Sequence, residues 1–454
     1  MKFFLYVYML FLTFSMTAHK GADAPNALLN SIASNIAAST DPADEPSSVD
    51  HTPLTFSTDE ANAAAAYNGK SIMRYGDAAY TILPASEENE DGALLPCEVV
   101  ALDQNDEYAE TVASVKYFVN AFYAFDNALL ISSSYGYYPT YRIDLETKTS
   151  SLYFDGPILG VSYEAQEIYY ANEPGRGLNV ASFDGTEVAS ILDDTYQFNG
   201  AHGDVLYFSI VLDSGDAQLS AVHMGSRRVE EIALLPALDQ EYETYAYDYI
   251  QMLKVCGDRI VLTFGHHEGT GHFFYGQIIS MNLDGSNIVT AKTIDTSGES
   301  FEVLGNSVYM DGSIDHAYGI CQLDSHLSAE NIILPSAWLA GVDETKSALL
   351  YTQHTGDTNI SDLMMYNPAS GTELMILSGS ALPVFDNFSY MAFEHVQIID
   401  NAAYFNVTIN CYDPEVDPWR GHTAYDAIML VQLDGSAVTV LYEHYIDEPF
   451  SVGS

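Results

Sequence analysis

The chain is 454 residues long, with 63 Asp and Glu against 15 Lys and Arg, a formal charge of −48 and an ordinary hydrophobic fraction of 48%. It can bury a core while carrying an acidic skin, and it lacks the cations needed to release counterions from a phosphate backbone, which excludes nucleic acid and disfavours anionic membranes as partners. Four cysteines, Cys97, Cys256, Cys321 and Cys411, lie at least 65 residues apart with no C-x-x-C pair, so a zinc ribbon or thioredoxin-like site is excluded too.

Taken in order, the chain opens with Met1-Lys2, a 14-residue apolar run from Phe3 to Met16, and small residues at Thr17-Ala18 and Ala22-Asp23-Ala24. This is the pattern of a secretory signal peptide over residues 1–24, an uncleaved anchor being the other reading. The run is too short to cross a bilayer core of about 30 Å as a helix, and no later stretch nears 18 continuous apolar residues. We expect an exported protein, secreted or held in the cell envelope, with no transmembrane segment in its mature form and acting as a monomer. Residues 25–61 are rich in Ala, Ser, Asp and Pro and read as a low-complexity linker, too poor in large apolar side chains to offset the entropy of ordering. Within and after it, Leu28 to Ile36 has the spacing of a brief amphipathic helix, and Ser57 with Glu60 resembles a capping box ahead of the Ala-rich residues 61–66.

Beyond Asn68-Gly69 the pattern changes to short apolar strands punctuated by turns. Ile278 to Thr290 reads as a strand, a two-residue Asp284-Gly285 turn and a second strand; the same unit recurs around Asp184-Gly185 and Asp434-Gly435. A second recurring element is a polar turn followed by a small, apolar or aromatic strand. Its anchors are Asp77, Asn127, Gln166, Asp204, Asp258, Asn306, Lys346 and Asn401, with a mean period of about 46 residues. That period fits a four-stranded propeller blade, and no helical pattern of comparable length interrupts it. The expected fold is all-β: a single propeller over residues 62–454, with eight blades, or seven because the first unit repeats the pattern poorly. Stacked sandwiches are the competing fold. A closed ring would make its first and last units neighbours, bringing Cys97 and Cys411 into range of each other, but free, half-buried strand cysteines are the favoured reading.

The lead-in Asn62-Ala-Ala-Ala-Ala-Tyr-Asn-Gly69, the turn-plus-tyrosine strand starts and the Leu-Asp-Gly-Ser hairpins resemble the secreted bacterial propeller domains related to TolB and to the YWTD propellers of lipoprotein receptors. The resemblance covers roughly residues 62 to 445, although no intact YWTD motif is present. It implies binding or scaffolding outside the cytoplasm and supplies no catalytic residues.

The connections from second to third strand of each unit are longer than the others and hold the unusual residues. Loops presented by a rigid scaffold are where binding residues concentrate. The candidate ligand-binding set is therefore Tyr137 and Tyr138, Arg176, His316 and Tyr318, and a loop from Asp413 to His422 carrying Asp413, Asp417, Trp419, Arg420 and His422. Tolerated insertion is the plainer reading of the same loops. Trp419 offers a flat apolar face, and aromatic and arginine side chains dominate binding hot spots. His266, His267, Glu268 and His272 have ligand-competent side chains, but neighbours on an extended segment point opposite ways, so a solvated polar hairpin is expected and no metal site. No cofactor is expected; the one opening for calcium is Glu87 to Glu98, which can be laid imperfectly on a calcium-loop pattern or read as an acidic hairpin tip. No nucleophile elbow or phosphate-binding loop appears. The expected function is non-enzymatic binding of a glycan or extracellular protein through the long-loop face. The alternative is a carbohydrate-active hydrolase or lyase on the same scaffold, drawing carboxylates from Asp413, Glu415 and Asp417.

Overall fold

The computed structural model describes Leu54 and residues 71–445, apart from 85–96, 104–107, 117–120, 133–138, 172–175, 239–248, 269–272, 292–300, 315–316, 329, 355–359, 384, 386–387 and 414–416. The signal peptide, the capping box, most of the linker and most of the Glu87–Glu98 segment lie outside the described residues.

Thirty-one strands form the described structure, all paired antiparallel to their sequence neighbours within each sheet. The first sheet holds β1 Ile72–Tyr75, β2 Ala78–Leu83, β3 Cys97–Leu102 and β4 Tyr108–Val115. The second holds β5 Ala121–Ala124, β6 Ala128–Ser132, β7 Thr140–Asp144 and β8 Thr149–Phe154. A seven-stranded sheet follows, made of β9 Ile158–Ser162, β10 Glu167–Tyr170, β11 Arg176–Ser182, β12 Glu187–His202, β13 Val205–Val211, β14 Ala217–His223 and β15 Arg228–Leu235. Next come β16 Tyr249–Cys256, β17 Arg259–Glu268, β18 Phe273–Asn282 and β19 Val289–Thr290. The fifth sheet is β20 Phe301–Leu304, β21 Ser307–Ile314, β22 Ala317–Asp324 and β23 Glu330–Pro335. The last two are β24 Ala337–Asp343, β25 Ala348–His354, β26 Ser361–Asn367 and β27 Thr372–Leu377, then β28 Phe388–Ile399, β29 Ala402–Asp413, β30 Asp417–Gln432 and β31 Val438–Tyr445.

The 16-residue β12 explains the seven-stranded sheet. Its first half pairs chiefly with β11 and its second half with β13, so it closes one four-strand set and opens the next without a loop. Cut at its midpoint, the sheets give four-strand sets, here termed units 1 to 8. The first strands of successive units lie side by side, with β1 against both β5 and β28. The chain is thus an all-β propeller.

Sequence pattern accounts for this packing. In β17 the run Arg-Ile-Val-Leu-Thr-Phe is almost continuously apolar because both of its faces are covered: Ile260, Leu262 and Phe264 pack toward unit 4, whereas Val261 packs toward unit 6. Eight apolar clusters each join consecutive units in this way. One of them closes the ring, joining Ile72, Ala79, Val100 and Leu102 of unit 1 to Ala402, Tyr404, Ile428 and Leu430 of unit 8. There the buried Thr81 hydroxyl bridges Ser71 O and the Tyr404 hydroxyl, each at 3.0 Å, and Arg74 pairs with Asp400 at 2.5 Å. The closure is made by side chains, since both terminal sheets are built from contiguous sequence.

The turn expectation changes, whereas the expectation of strand cysteines outside any disulfide holds. The Asp-Gly hairpins are three-residue turns: Gly285 N donates to Asn282 O at 2.9 Å, Asn282 N to Ser286 O at 2.8 Å, and Gly285 takes φ +78°. Leu283-Asp284 forms a type I turn and Gly285 the left-handed residue after it, a geometry that an Asp-Gly pair also suits. Ser182 to Thr186 repeats it, whereas at Asp434-Gly435 Gln432 N reaches one residue further, to Ala437 O at 3.0 Å, enclosing four residues. All four cysteines are buried, more deeply than the half-buried expectation, and none is in a disulfide. Ring closure does not pair Cys97 with Cys411, because Cys97 packs toward unit 2 and Cys411 toward unit 7, on the sides away from the closing interface.

One residue of the expected linker is ordered against the ring. Leu54 is 5% exposed, donates its amide to Phe183 O at 2.7 Å, and sits among Phe125, Tyr153 and Phe183 between units 2 and 3.

Candidate ligand-binding site

With four antiparallel strands per unit, the first-to-second and third-to-fourth turns emerge on one side of the ring. The remaining connections emerge on the other, the long-loop face. Tyr137, Tyr138 and His316 lie outside the described residues. Arg176 is exposed at the start of β11, on unit 3, opposite Gln197 and beside a bulge in β12 that contains Asp193 and Asp194. Tyr318 lies on unit 6 at the start of β22.

The expected loop from Asp413 to His422 is instead a hairpin. β29 runs through Asp413 and β30 begins at Asp417, with Asp413 opposite Asp417, Tyr412 opposite Gly421 and Cys411 opposite His422. Pro414 and Pro418 made the segment look like a loop, but Pro418 is the second residue of β30, at the tip of the hairpin where little of the ladder depends on its missing N–H. For Asp413, Asp417, Trp419, Arg420 and His422 this strand placement is what the structure describes. His266, His267 and Glu268 likewise belong to β17, paired with Tyr275, Phe274 and Phe273. Glu98, the last position of the calcium-loop reading, is on β3, where its carboxylate accepts from the Thr111 hydroxyl at 3.1 Å.

Among the expected residues, Tyr318 alone is described in contact with a group of chemically distinctive side chains. Ser336, at φ +55°, turns the chain from β23 into β24, and its amide is held by Tyr318 O at 2.9 Å. This one-residue link brings Trp338 beside Tyr318, with ring centroids 5.5 Å apart and planes at 41°. Trp338 also meets the His354 ring edge-to-face at 4.3 Å and 63°. His354 Nδ1 is 3.0 Å from the Ser361 hydroxyl, which fixes the ring's orientation. Tyr318 and Trp338 are half-buried and His354 exposed, so three rings from two units form a run at the mouth of the unit 6 to unit 7 junction.

Asp311 lies behind this run. In the β21–β22 register Asp311 faces Ile320 and Ser313 faces Tyr318, making Asp311 a diagonal neighbour of Tyr318 on one sheet face. One carboxylate oxygen accepts from the Leu339 amide at 2.7 Å, tying unit 6 to the residue after Trp338. Burial pushes its carboxyl up to about 6, partly offset by that hydrogen bond. Burial, and then the Asp311 charge, push the Tyr318 phenol well above its ordinary range. Among the described residues no Lys or Arg forms an ion pair with Asp311.

Sequence reasoning reached Tyr318 and missed Asp311, Trp338 and His354. The available signal was Pro335-Ser336-Ala337-Trp338: one of only two tryptophans, placed directly after a short polar break between strands. Asp311 gave no signal, because a single Asp inside a strand pattern looks the same whether it faces water or a neighbouring blade.

No family model matches the chain, and no curated protein sequence matches it. Among solved structures it is similar to an oligogalacturonate lyase in complex with manganese, at 13% identity over 68% of this chain and 86% of that one, with a TM-score of 0.38. It is also similar to a puromycin hydrolase, at 10% identity over 82% of this chain and 63% of that one, TM-score 0.41. A prolyl endopeptidase matches at 10% identity over 87% of this chain and 61% of that one, TM-score 0.45.

Proposed function

We propose that this chain is an exported, monomeric binding propeller of eight blades that holds a glycan or protein ligand on its long-loop face without turning it over. The observation that carries the reading is the run Tyr318–Trp338–His354 at the mouth between units 6 and 7, with ring spacings of 5.5 and 4.3 Å. Flat apolar faces held in place by a neighbouring ring and a one-residue link lose little side-chain freedom when a ligand stacks on them, which is what a recognition surface requires. Tyr137, Tyr138, Arg176, His316 and the β29–β30 hairpin with Asp413, Asp417, Trp419, Arg420 and His422 extend the proposed contact surface around the same face. Kinship with the TolB-like and YWTD propellers belongs to this reading as well.

Glycan and peptide arrays probed with the native protein, Trp338→Ala and Trp419→Ala test it. Binding should be lost in Trp338→Ala at unchanged melting temperature. Array signals that Trp338→Ala leaves intact would remove this run from the site.

Asp311 favours one second reading, a hydrolase or lyase, because a carboxyl pushed up to about 6 can donate a proton near neutrality. Incubation with oligosaccharide and peptide pools, read by mass spectrometry, separates the two. New chain ends that disappear in Asp311→Asn would replace binding with turnover.

A further inference from the structure

We propose that the group seated on this run is a cation, an alkylammonium such as a lysine side chain or a free amine, held between the Trp338 and Tyr318 rings and the Asp311 carboxylate. The inference rests on the ligand site proposed above and names the chemistry of its ligand.

Three observations converge on it. Tyr and Trp faces attract cations through the negative charge density above their rings, most strongly where water is partly excluded, and both rings here are half-buried. Asp311 stands diagonally beside Tyr318 and is anchored through the amide next to Trp338, so a carboxylate sits at one end of the aromatic pair. One of its oxygens is committed to Leu339 N; among the described residues no further hydrogen bond and no Lys or Arg balances the charge. A carboxylate held out of water is unfavourable until an opposite charge reaches it, and a ligand cation supplies that charge.

The rest of the molecule agrees with this choice. Four of the described ion pairs link neighbouring units: Arg74 with Asp400, Lys148 with Glu110, Arg227 with Glu167 and Lys254 with Glu302. Each joins groups at or near the tight-turn ends of the strands, and among the described residues Asp311 has no such partner. A formal charge of −48 also draws cations toward the surface and raises their local concentration. A neutral sugar would gain stacking from the rings but nothing from the buried charge.

The full chain with Trp419→Phe leaves Trp338 as the single indole, so its fluorescence reports this site. At physiological salt it is titrated with an Ala-Lys-Ala peptide blocked at both ends, the same peptide acetylated on lysine, tetramethylammonium chloride and cellohexaose. The lysine peptide should give a saturable change, acetylation should weaken it at least 10-fold, and Asp311→Asn should weaken it at least 10-fold. Asp77→Asn, which removes the same charge from an exposed turn on the opposite face, should leave it unchanged. A response to tetramethylammonium but not to the peptide also supports the inference and assigns the source as a small free amine. Equal binding of the acetylated peptide, or an Asp77→Asn loss as large as that of Asp311→Asn, would overturn the cationic ligand. Saturable binding of cellohexaose alone would overturn it while leaving the aromatic site standing. Silence of Trp338 toward every probe would overturn both.

Discussion

On the tight-turn face, Asp184, Asp284, Asp324 and Asp434 fold back onto their own turns, each accepting from a backbone amide further along the turn and from a nearby hydroxyl, that of Ser182 for Asp184. Those hydrogen bonds hold their carboxyls below the ordinary carboxylate range. On the long-loop side Asp311 is half-buried against the neighbouring unit, and that partial burial pushes it the other way, up to about 6. One residue type thus has two uses. At an exposed turn its charge is satisfied locally and stabilises the hairpin; at the junction of two units it is half-buried, with no ion-pair partner among the described residues. Proteins carry such costs where a group is needed for binding or chemistry. The difference between the faces separates the groups that build the ring from those that face a ligand.

The largest effect should come from removing the closure that both faces depend on. Deleting residues 425–454 takes Ile428 and Leu430 out of the interface with unit 1, and Tyr425, Ala427, Met429 and Val431 out of the interface with unit 7. Cooperative thermal unfolding should be abolished, because every remaining unit depends on neighbours to cover its faces. A truncated chain with its full calorimetric transition would show that the ring does not need to close.

Next in size is a substitution at a tight turn. A Cβ on Gly285 would stand 1.8 Å from Ile232 O of unit 4, at a φ of +78° that side chains rarely adopt. Gly285→Ala should cost about 2–4 kcal/mol, combining left-handed strain with overpacking. Gly435→Ala is the control, since its Cβ would meet nothing within 4 Å at nearly the same φ, +74°. The two variants separate strain from the contact between units, read by denaturant midpoints.

Asp311→Asn should do the opposite and stabilise. The native carboxyl has its value raised by burial, so ionising it opposes folding. The cost is absent below the unfolded value of about 4 and grows as pH rises through about 6. At pH 8 the variant should be more stable by about 1–3 kcal/mol, a gain that shrinks as pH falls through 6 and vanishes near 4. A variant less stable than the native protein at pH 8 would mean that Asp311 is structural and that the faces do not differ as described.

These two substitutions also mark how much was legible in advance. The repeat and its period came from turns such as Gly257-Asp258 and Leu283-Asp284-Gly285, whose local chemistry is written in adjacent residues. The hairpin at Asp413 to His422 was misread because Pro and Asp signal a break, whereas pairing along β29 and β30 continues almost to the tip. Asp311, Trp338 and His354 meet through a neighbouring unit and a one-residue link. No local pattern records that contact, so three of the four residues in the candidate site had no period or motif to expose them. Leu54 was hidden in the same way, as a lone apolar residue in a polar stretch whose partner, Phe183, lies more than a hundred positions away.

A smaller loss is expected at Glu167, with Asp343 one of two strongly buried acids among the described residues of the tight-turn side. Glu167, whose side chain is 8% exposed, is paired with Arg227 of the next unit and accepts from the Tyr169 hydroxyl at 2.5 Å; that hydroxyl in turn accepts from Gly225 N at 2.7 Å. Arg227→Ala removes the cation and leaves the carboxylate behind. Breaking a fully buried pair costs about 3–5 kcal/mol, but the Arg227 side chain is 35% exposed, so about 1–2 kcal/mol is expected here. Arg227→Lys should recover part of it. A neutral outcome would mean that solvent already screens Glu167, and would narrow the contrast with Asp311.

The smallest effect, and the one that tests the contrast most directly, is at Asp284. Its carboxylate accepts from Ser286 N at 2.9 Å and from the Ser286 hydroxyl at 2.6 Å, fully in solvent, and these bonds favour the charged form. The folded value is therefore depressed. The contribution to stability is present above the unfolded carboxylate value, near 4, and is lost as pH falls through the depressed one. Asp284→Ala should lower the melting temperature slightly at pH 7, and Asp284→Asn less, because an amide oxygen can still accept from the turn. As the pH drops below 4 the native protein should converge on Asp284→Ala. Asp311→Asn should converge with the native protein over a window about two units higher and from the opposite side, starting as the more stable partner. Melting temperatures of the three proteins from pH 3 to pH 8 would show both slopes in one experiment. If the two aspartates gave slopes of the same sign, the distinction between turn-satisfied and junction-buried carboxylates would fail, and with it the case for reading Asp311 as a group that faces a ligand.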